Sequence, residues 1–137
     1  WVSDAGINES GPQPNEVTGF AAARQAAGWN GVYFGGVAFK HQRPVSEPPV
    51  AALAATPFVD VITTSGSATG NAAPIEKVAA MKMAIGSHPL ALASGVTPEN
   101  CDLYRPYLDC VLAASSVSDS EAELNPSRLS QLVRALA

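Results

Sequence analysis

The sequence predicts an α/β fold in which short parallel strands alternate with helices, as in part of a (β/α) barrel. Two observations support this prediction. The order strand, helix occurs five times along the 137 residues, with a repeat of roughly 25 to 30 residues, a length that suits βα units. The strand candidates are apolar on both faces, which is typical of parallel strands covered by helices.

Glycine, proline and alanine mark the first two repeats. A short strand is predicted at residues 1–4, before a polar loop rich in Gly and Pro. The Ala-rich stretch 17–27 favours a helix, and Gly28 ends it. A β-rich run follows at residues 31–39, and Ser46 opens a second helix through residue 55.

The third repeat pairs an apolar strand with a loop of small residues. The strand is predicted at residues 58–63, and the loop follows at residues 64–71. Pro74 suits the first turn of a helix that runs to residue 85, where Gly86 ends it.

The last two repeats follow the same order. A strand at residues 89–93 leads into a helix at 97–104, and a last strand covers 108–112. Residues 113–120 form the loop after that strand, and an Asn-Pro cap with a final helix occupies residues 125–136.

This order of elements fits either a barrel or a doubly wound open sheet. A complete (β/α)8 TIM barrel needs about 200 or more residues, whereas this chain supplies 137 residues and about five strands. We therefore expect residues 1–137 to form one domain, the C-terminal portion of a TIM barrel with parallel strands. The chain starts at Trp1 within a strand candidate, so we expect either a homo-oligomer or a missing N-terminal barrel half.

Composition narrows the classes of function. Hydrophobic residues make up 47% of the chain, and its formal net charge is −4 with scattered Lys and Arg, which disfavours a nucleic-acid partner. Cys101 and Cys110 have no nearby His, so we predict no metal site and no disulfide framework. The sequence has no apolar run near the ~20 residues of a membrane helix and no signal peptide. We expect a cytoplasmic protein, with peripheral membrane association left open.

The loops after the strands are the expected ligand site, because both folds bind ligands at the carboxyl ends of parallel strands. Small residues let backbone N–H groups approach an anion, and hydroxyl groups add donors. Tight turns alone would also explain the same Ser and Gly residues. The candidate phosphate-binding residues in these loops are Ser65, Gly66, Ser94, Gly95, Ser115 and Ser116.

Three residues at strand ends are candidates for catalysis. Lys40 could neutralise a phosphate or act as a base, and His41 and Asp4 could transfer protons. A solvated strand end would equally explain Lys40 and His41, and a turn-capping role would explain Asp4. The sequence contains neither a Walker A loop nor Gly-x-Gly-x-x-Gly, and we predict no cofactor.

Several of these segments together resemble the BtpA family. The resemblance covers most of residues 31–136, and its most specific part is Ser-Gly-Val-Thr-x-x-Asn at 94–100. The Ala-Phe-Lys-His segment at 38–41 is similar to a Lys- and His-bearing strand of that family. One departure is Ala113-Ala114, where the family usually has a Gly. The other matching segments are residues 59–66, 69–70, 108–112 and 125–129.

The resemblance implies a phosphate-binding (β/α)8 barrel in which the strands between residues 32 and 112 are the fifth to the eighth. It also implies a small phosphorylated ligand and a candidate enzyme of nucleoside or sugar phosphate metabolism. The alternative that it implies is a non-catalytic factor for biogenesis or stabilisation of a membrane complex such as photosystem I.

Overall fold

The computed structural model describes residues 1–120 and 123–137. Two short 3-10 helices, at Arg105–Tyr107 and Ser115–Val117, accompany the helices and strands. In chain order the other elements are β1 (Ile7–Asn8), β2 (Gly11–Pro12), α1 (Pro14–Ala26), β3 (Phe34–Gly36), α2 (Pro48–Ala55), β4 (Val61–Thr64), α3 (Ile75–Ile85), β5 (Leu90–Ala93), α4 (Cys101–Tyr104), β6 (Cys110–Leu112), β7 (Ser118–Ser120), β8 (Glu123–Leu124) and α5 (Pro126–Leu136).

A four-stranded parallel sheet organises the fold. Its strand order, β3-β4-β5-β6, follows the chain, and each pair of neighbours is parallel. Helices α2, α3 and α4 connect successive strands. A sheet whose parallel strands lie in sequence order with a helix in each connection has the arrangement of a barrel segment. All strand carboxyl ends therefore lie along one edge of the sheet, as the sequence predicts.

The predicted first strand is reduced to a single bridge in the described residues. Val2 pairs in parallel with Gly35, and its carbonyl accepts a hydrogen bond of 2.9 Å from the Gly36 N–H. The Asp4 carboxylate then accepts the Gly6 N–H at 2.8 Å, which turns the chain away from the sheet. The segment lies beside β3, where a fifth strand is expected, but it is too short to be one.

Two predicted loops contain short strands, and one helix begins later than the sequence predicts. The Gly- and Pro-rich loop contains the antiparallel pair β1-β2, and the loop after β6 leads into a second antiparallel pair, β7-β8. The fourth helix begins at Cys101 rather than at residue 97, because the Asn100 side chain accepts the Thr97 N–H at 2.8 Å and holds a turn there. Side-chain bonds of this kind compete with a helix for the same backbone groups.

The core lies between the sheet and helices α2 and α3. Every residue of β4 and β5 is buried. Helix α2 contributes only alanines to this core and packs against α3 and β1, while α3 contributes larger side chains. The buried residues of these two helices are Ala51, Ala52, Ala55, Val78, Met81 and Ile85. This packing holds the strand ends, and hence the loops that follow them, in place.

No helix in residues 1–120 or 123–137 combines the length and the apolar character that crossing a bilayer requires.

Candidate functional site

The loops at the carboxyl edge of the sheet are tied to one another by hydrogen bonds. The Lys40 N–H donates to Ser65 Oγ at 2.8 Å, and Lys40 Nζ donates to Thr69 Oγ1 at 3.0 Å. The Gly70 N–H donates to Ser94 Oγ at 3.0 Å. The loops after β3, β4 and β5 therefore form one connected rim.

A cavity of about 400 Å³ opens at this rim, and we call it the mouth cavity. Three residues predicted for the site, Lys40, Ser94 and Ser115, line it from the loops after three different strands. Trp1 and Phe39 form an aromatic wall, with ring centroids 5.6 Å apart at an angle of 65°. The remaining lining residues are Thr69, Ala93, Leu112, Ala113 and Ala114.

A second cavity of about 450 Å³ shares Phe39 and Lys40 with the mouth cavity. We call it the lysine cavity, because Lys40 and Lys77 both line it. Its other lining residues are Ala38, His41, Pro44, Val45, Ser65, Gly66, Ser67 and Pro74. Of the predicted site residues, Lys40, His41, Ser65, Gly66, Ser94 and Ser115 line one or both of these neighbouring cavities, whereas Asp4, Gly95 and Ser116 line neither.

The Ser65 hydroxyl makes its hydrogen bonds within the protein. The residue is fully buried, and its Oγ accepts the Lys40 N–H and donates to the Gly66 carbonyl at 2.9 Å. Because this buried hydroxyl already accepts one hydrogen bond and donates another, it stabilises the loop and has no proton left to donate to a ligand.

Gly66 and Gly95 are explained by loop packing. A Cβ on Gly66 would lie 2.2 Å from the Asn71 carbonyl oxygen, and a Cβ on Gly95 would lie 2.5 Å from Ala72 Cα. Gly95 also has a φ of +78°, which disfavours other residues. Gly66 therefore lets the loop after β4 fold closely on itself at residues 71–72, and Gly95 lets the loop after β5 touch the same segment.

Asp4 and Ser116 lie apart from the two cavities. Asp4 Oδ2 is 3.3 Å from Arg43 Nη2, and Arg43 also contacts Glu16 at 2.8 Å. The Ser116 carbonyl accepts a hydrogen bond of 2.8 Å from Arg128 Nε, in the first turn of α5. Neither residue is among those that line the mouth cavity or the lysine cavity.

Lys77 is a residue of this region that the sequence analysis does not single out. It lies in the first turn of α3, and its Nζ donates to the carbonyls of Ala38, at 2.6 Å, and Ser65, at 2.8 Å. Burial lowers the pKa of Lys77 to about 8. Lys77 belongs to a helix and not to a loop after a strand, the position at which the fold predicts ligand-binding residues. Its position three residues after Pro74, beside the small-residue loop, is the sequence signal that could have identified it.

Three residues other than glycine adopt left-handed backbone conformations at this rim. The φ angles are +50° for Ala38, +61° for His41 and +74° for Ser94. Such conformations cost about 1 to 3 kcal/mol each and occur where the surrounding structure imposes them, often at functional sites. All three follow β3 or β5, so the strain is concentrated at the edge where ligands are expected.

Among the described residues, His, Cys, Asp and Glu side chains do not come together in groups of three or more that could hold a metal ion.

The sheet order and the rim define the class of protein as an α/β protein of the TIM-barrel type, as predicted from the sequence. No family model and no curated protein matches the chain. Among solved structures, the chain is similar to the crystal structure of phosphoribosyl anthranilate isomerase from Thermus thermophilus, with a TM-score of 0.51 and 19% sequence identity. The alignment covers 91% of this chain and 80% of that one. At this identity the likeness supports the fold alone.

Proposed function

We propose that this protein binds a small phosphorylated metabolite in the mouth cavity and is an enzyme of nucleoside or sugar phosphate metabolism. The observation that carries the proposal is the convergence of Lys40, Ser94 and Ser115 on one cavity of about 400 Å³. Each comes from the loop after a different parallel strand, the position at which barrel proteins bind ligands.

Charge and hydrogen bonding in the mouth cavity suit a phosphate. Lys40 supplies an ammonium group, which Thr69 Oγ1 holds at 3.0 Å. Ser94 Oγ accepts the Gly70 N–H, so its own proton remains able to donate to a ligand oxygen. Ser115 is exposed and begins a 3-10 turn. A cation and the hydroxyl groups of two serines, in a cavity lined mainly by apolar side chains, can bind a phosphate and exclude part of its water.

The apolar part of the mouth cavity suits the remainder of such a metabolite. Trp1, Phe39 and Leu112 provide flat and aliphatic surface next to the polar groups. In the proposed enzyme, Lys40 is the acid–base candidate within the mouth cavity, while His41 lines the adjacent lysine cavity. The resemblance of residues 94–100 to the BtpA family supports a phosphate-binding barrel of that kind.

A titration tests this proposal. Inorganic phosphate and glucose 6-phosphate are added to the wild type, to Ser94→Ala and to Ser115→Ala, and binding is followed by calorimetry. Each lost hydroxyl should weaken binding by about ten- to a hundredfold, since a hydrogen bond to a charged group contributes about 1.5 to 3 kcal/mol. Ser87→Ala is the matched control, because Ser87 is exposed and lies before β5, at the opposite edge of the sheet.

The outcomes are distinct. Saturable binding that both rim variants weaken, and Ser87→Ala leaves unchanged, supports the proposal. Absence of saturable binding at millimolar ligand would contradict it. The thermal stability of the protein would then also stay unchanged, because only a ligand that binds the folded protein raises its stability. That result would favour the alternative, a non-catalytic biogenesis factor for a membrane complex.

We also propose that further strands complete the barrel, either from a second copy of this chain or from additional sequence. In the described part of the chain, β6 has a neighbour on one side only, and Trp1 is 62% exposed. An unpaired strand edge beside apolar surface favours association. Sedimentation equilibrium of this chain should show a dimer at micromolar concentration, and a strictly monomeric species would remove the second copy from the proposal.

A further inference from the structure

The lysine cavity is lined by three basic residues, two of which, His41 and Lys77, bind no ligand in the proposed function. Three basic side chains, Lys40, His41 and Lys77, are among its lining residues, and no Asp or Glu is among them. Lys40 Nζ is directed to Thr69, which lines the mouth cavity. Lys77 and His41 line the lysine cavity and do not line the mouth cavity.

The Lys77 ammonium is held in place at this cavity. Its Nζ donates one hydrogen bond to the Ala38 carbonyl at 2.6 Å and one to the Ser65 carbonyl at 2.8 Å. An ammonium group has three protons, so one donor remains for a ligand. Among the ion pairs between described residues, none involves Lys77. Its charge is therefore not neutralised by a carboxylate there.

The loop that carries His41 is preorganised beside Lys77. The Phe39 N–H donates to Gln42 Oε1, and the Lys40 N–H donates to Ser65 Oγ. Ala38 and His41 both have left-handed backbone conformations, with φ angles of +50° and +61°. Since a fixed loop loses little conformational freedom on binding, groups on it bind a ligand more tightly than mobile surface groups do.

We propose that the lysine cavity is a second anion-binding site, in which Lys77 and His41 hold a phosphate-sized anion next to the mouth cavity. Lys77 contributes its remaining N–H and its charge, and His41 contributes a ring N–H. This site is separate from the one in the proposed function, because neither Ser94 nor Ser115 lines the lysine cavity. Its chemical class of ligand is inorganic phosphate or the phosphate or carboxylate group of a metabolite.

Chemical labelling of the wild-type protein tests this proposal without a variant that could fail to fold. The chain has three lysines, Lys40, Lys77 and Lys82. Acetic anhydride is applied with and without inorganic phosphate at constant ionic strength, and peptide mass spectrometry follows acetylation at each lysine. Bound phosphate should slow acetylation of Lys77 by a factor of 1 + [L]/Kd, about tenfold at ten times Kd. Lys82 is the internal control, because it is paired with Asp109 at 2.7 Å.

Two variants separate this site from the mouth cavity. Protection of Lys77 should persist in the double variant Ser94→Ala/Ser115→Ala, even where the calorimetric titration shows that the mouth cavity has lost its ligand. Protection should weaken in His41→Ala, several-fold by the loss of one charge-assisted hydrogen bond. Equal protection of Lys77 and Lys82 would indicate a general ionic effect and overturn the proposal. Absence of protection at Lys77, or its loss in the double variant, would overturn it as well.

Discussion

Lys82 and Asp109 form an ion pair of 2.7 Å at the amino-terminal edge of the sheet, opposite the candidate site. The same Asp109 Oδ2 accepts the Leu90 N–H at 3.0 Å and so ties β6 to the start of β5. Asp60 repeats the arrangement one strand earlier, since its Oδ2 accepts the Tyr33 N–H at 2.7 Å and pairs with Arg24 at 3.0 Å. We expect these contacts to stabilise the fold rather than to bind a ligand, because ligands bind at the opposite, carboxyl-terminal edge of such sheets.

Asp109→Ala should destabilise the fold by about 1 to 3 kcal/mol, because it leaves the Leu90 N–H without its acceptor. Asp109→Asn keeps an oxygen acceptor and should cost less. Burial alone would raise the pKa of Asp109, but the Lys82 ammonium and the Leu90 N–H outweigh it and hold that pKa below its usual value. Urea unfolding of all three proteins at neutral pH measures these differences.

The same depressed pKa predicts a pH dependence. A carboxylate whose folded pKa lies below its unfolded pKa stabilises the fold above the unfolded value, near 3.8, and this contribution is lost as the pH falls through the folded pKa. The advantage of the wild type over Asp109→Asn should therefore shrink as the pH falls from about 5 through the folded pKa of Asp109. An advantage that stays constant across this range would contradict the role given to the ion pair.

Gly95→Ala should destabilise the protein by more than about 1 kcal/mol, because Gly95 has a positive φ and its added Cβ would meet Ala72. Gly19→Ala is the matched control, since Gly19 lies inside α1 with open space around it. That control should stabilise the protein by about 0.5 to 1 kcal/mol. Thermal unfolding compares the two, and equal effects would refute the loop contact.

Lys77→Met should change how stability varies with pH. Because burial lowers the pKa of Lys77 to about 8 from 10.5, the unfolded chain binds a proton that the folded chain releases between these values. The wild type should therefore gain stability relative to Lys77→Met as the pH rises from about 8 to 10. Chemical denaturation at several pH values measures the difference, and parallel curves for the two proteins would contradict the burial of this amine.

Tyr104→Phe should cost about 1 to 3 kcal/mol, because the Tyr104 hydroxyl donates to the Ala73 carbonyl at 2.6 Å inside the core. Ala73 follows the segment 71–72 on which Gly66 and Gly95 pack, so the change also loosens the rim. Tyr107→Phe is the control, because Tyr107 is only partly buried, and it should stay within about 0.5 kcal/mol. Equal losses in the two variants would argue against this hydrogen bond.

Apolar runs located the central strands correctly. The sequence predicts strands at residues 58–63 and 89–93, and β4 and β5 lie at Val61–Thr64 and Leu90–Ala93. Every residue of both strands is buried, and the short apolar run that marks such a strand can be recognised from the sequence by itself. The pairs β1-β2 and β7-β8 were not predicted, because each contains strands of only two or three residues. Elements that short have no periodicity to detect.

The candidate site was predicted only in part. Parallel strands place their following loops at one edge, and so Lys40, Ser94 and Ser115 could be expected together. The sequence could not show that Ser65 is buried with its hydroxyl bonded to neighbouring loops. It also could not separate His41 from the mouth cavity. Such details depend on how loops pack against one another, which no local pattern encodes.

The amino-acid sequence by itself determined the alternation of strands and helices, because apolar runs and the Gly and Pro residues that end them are local features. It also determined the edge at which polar groups gather, because the loops after parallel strands lie at one edge of a sheet. Only the tertiary structure decided which groups share a cavity. Lys77, in a helix, donates hydrogen bonds to the carbonyl of Ala38, 39 residues earlier in the chain, and to the carbonyl of Ser65, 12 residues earlier. Contacts over such separations arise from the packing of α3 on the sheet, and that packing is a property of the whole fold.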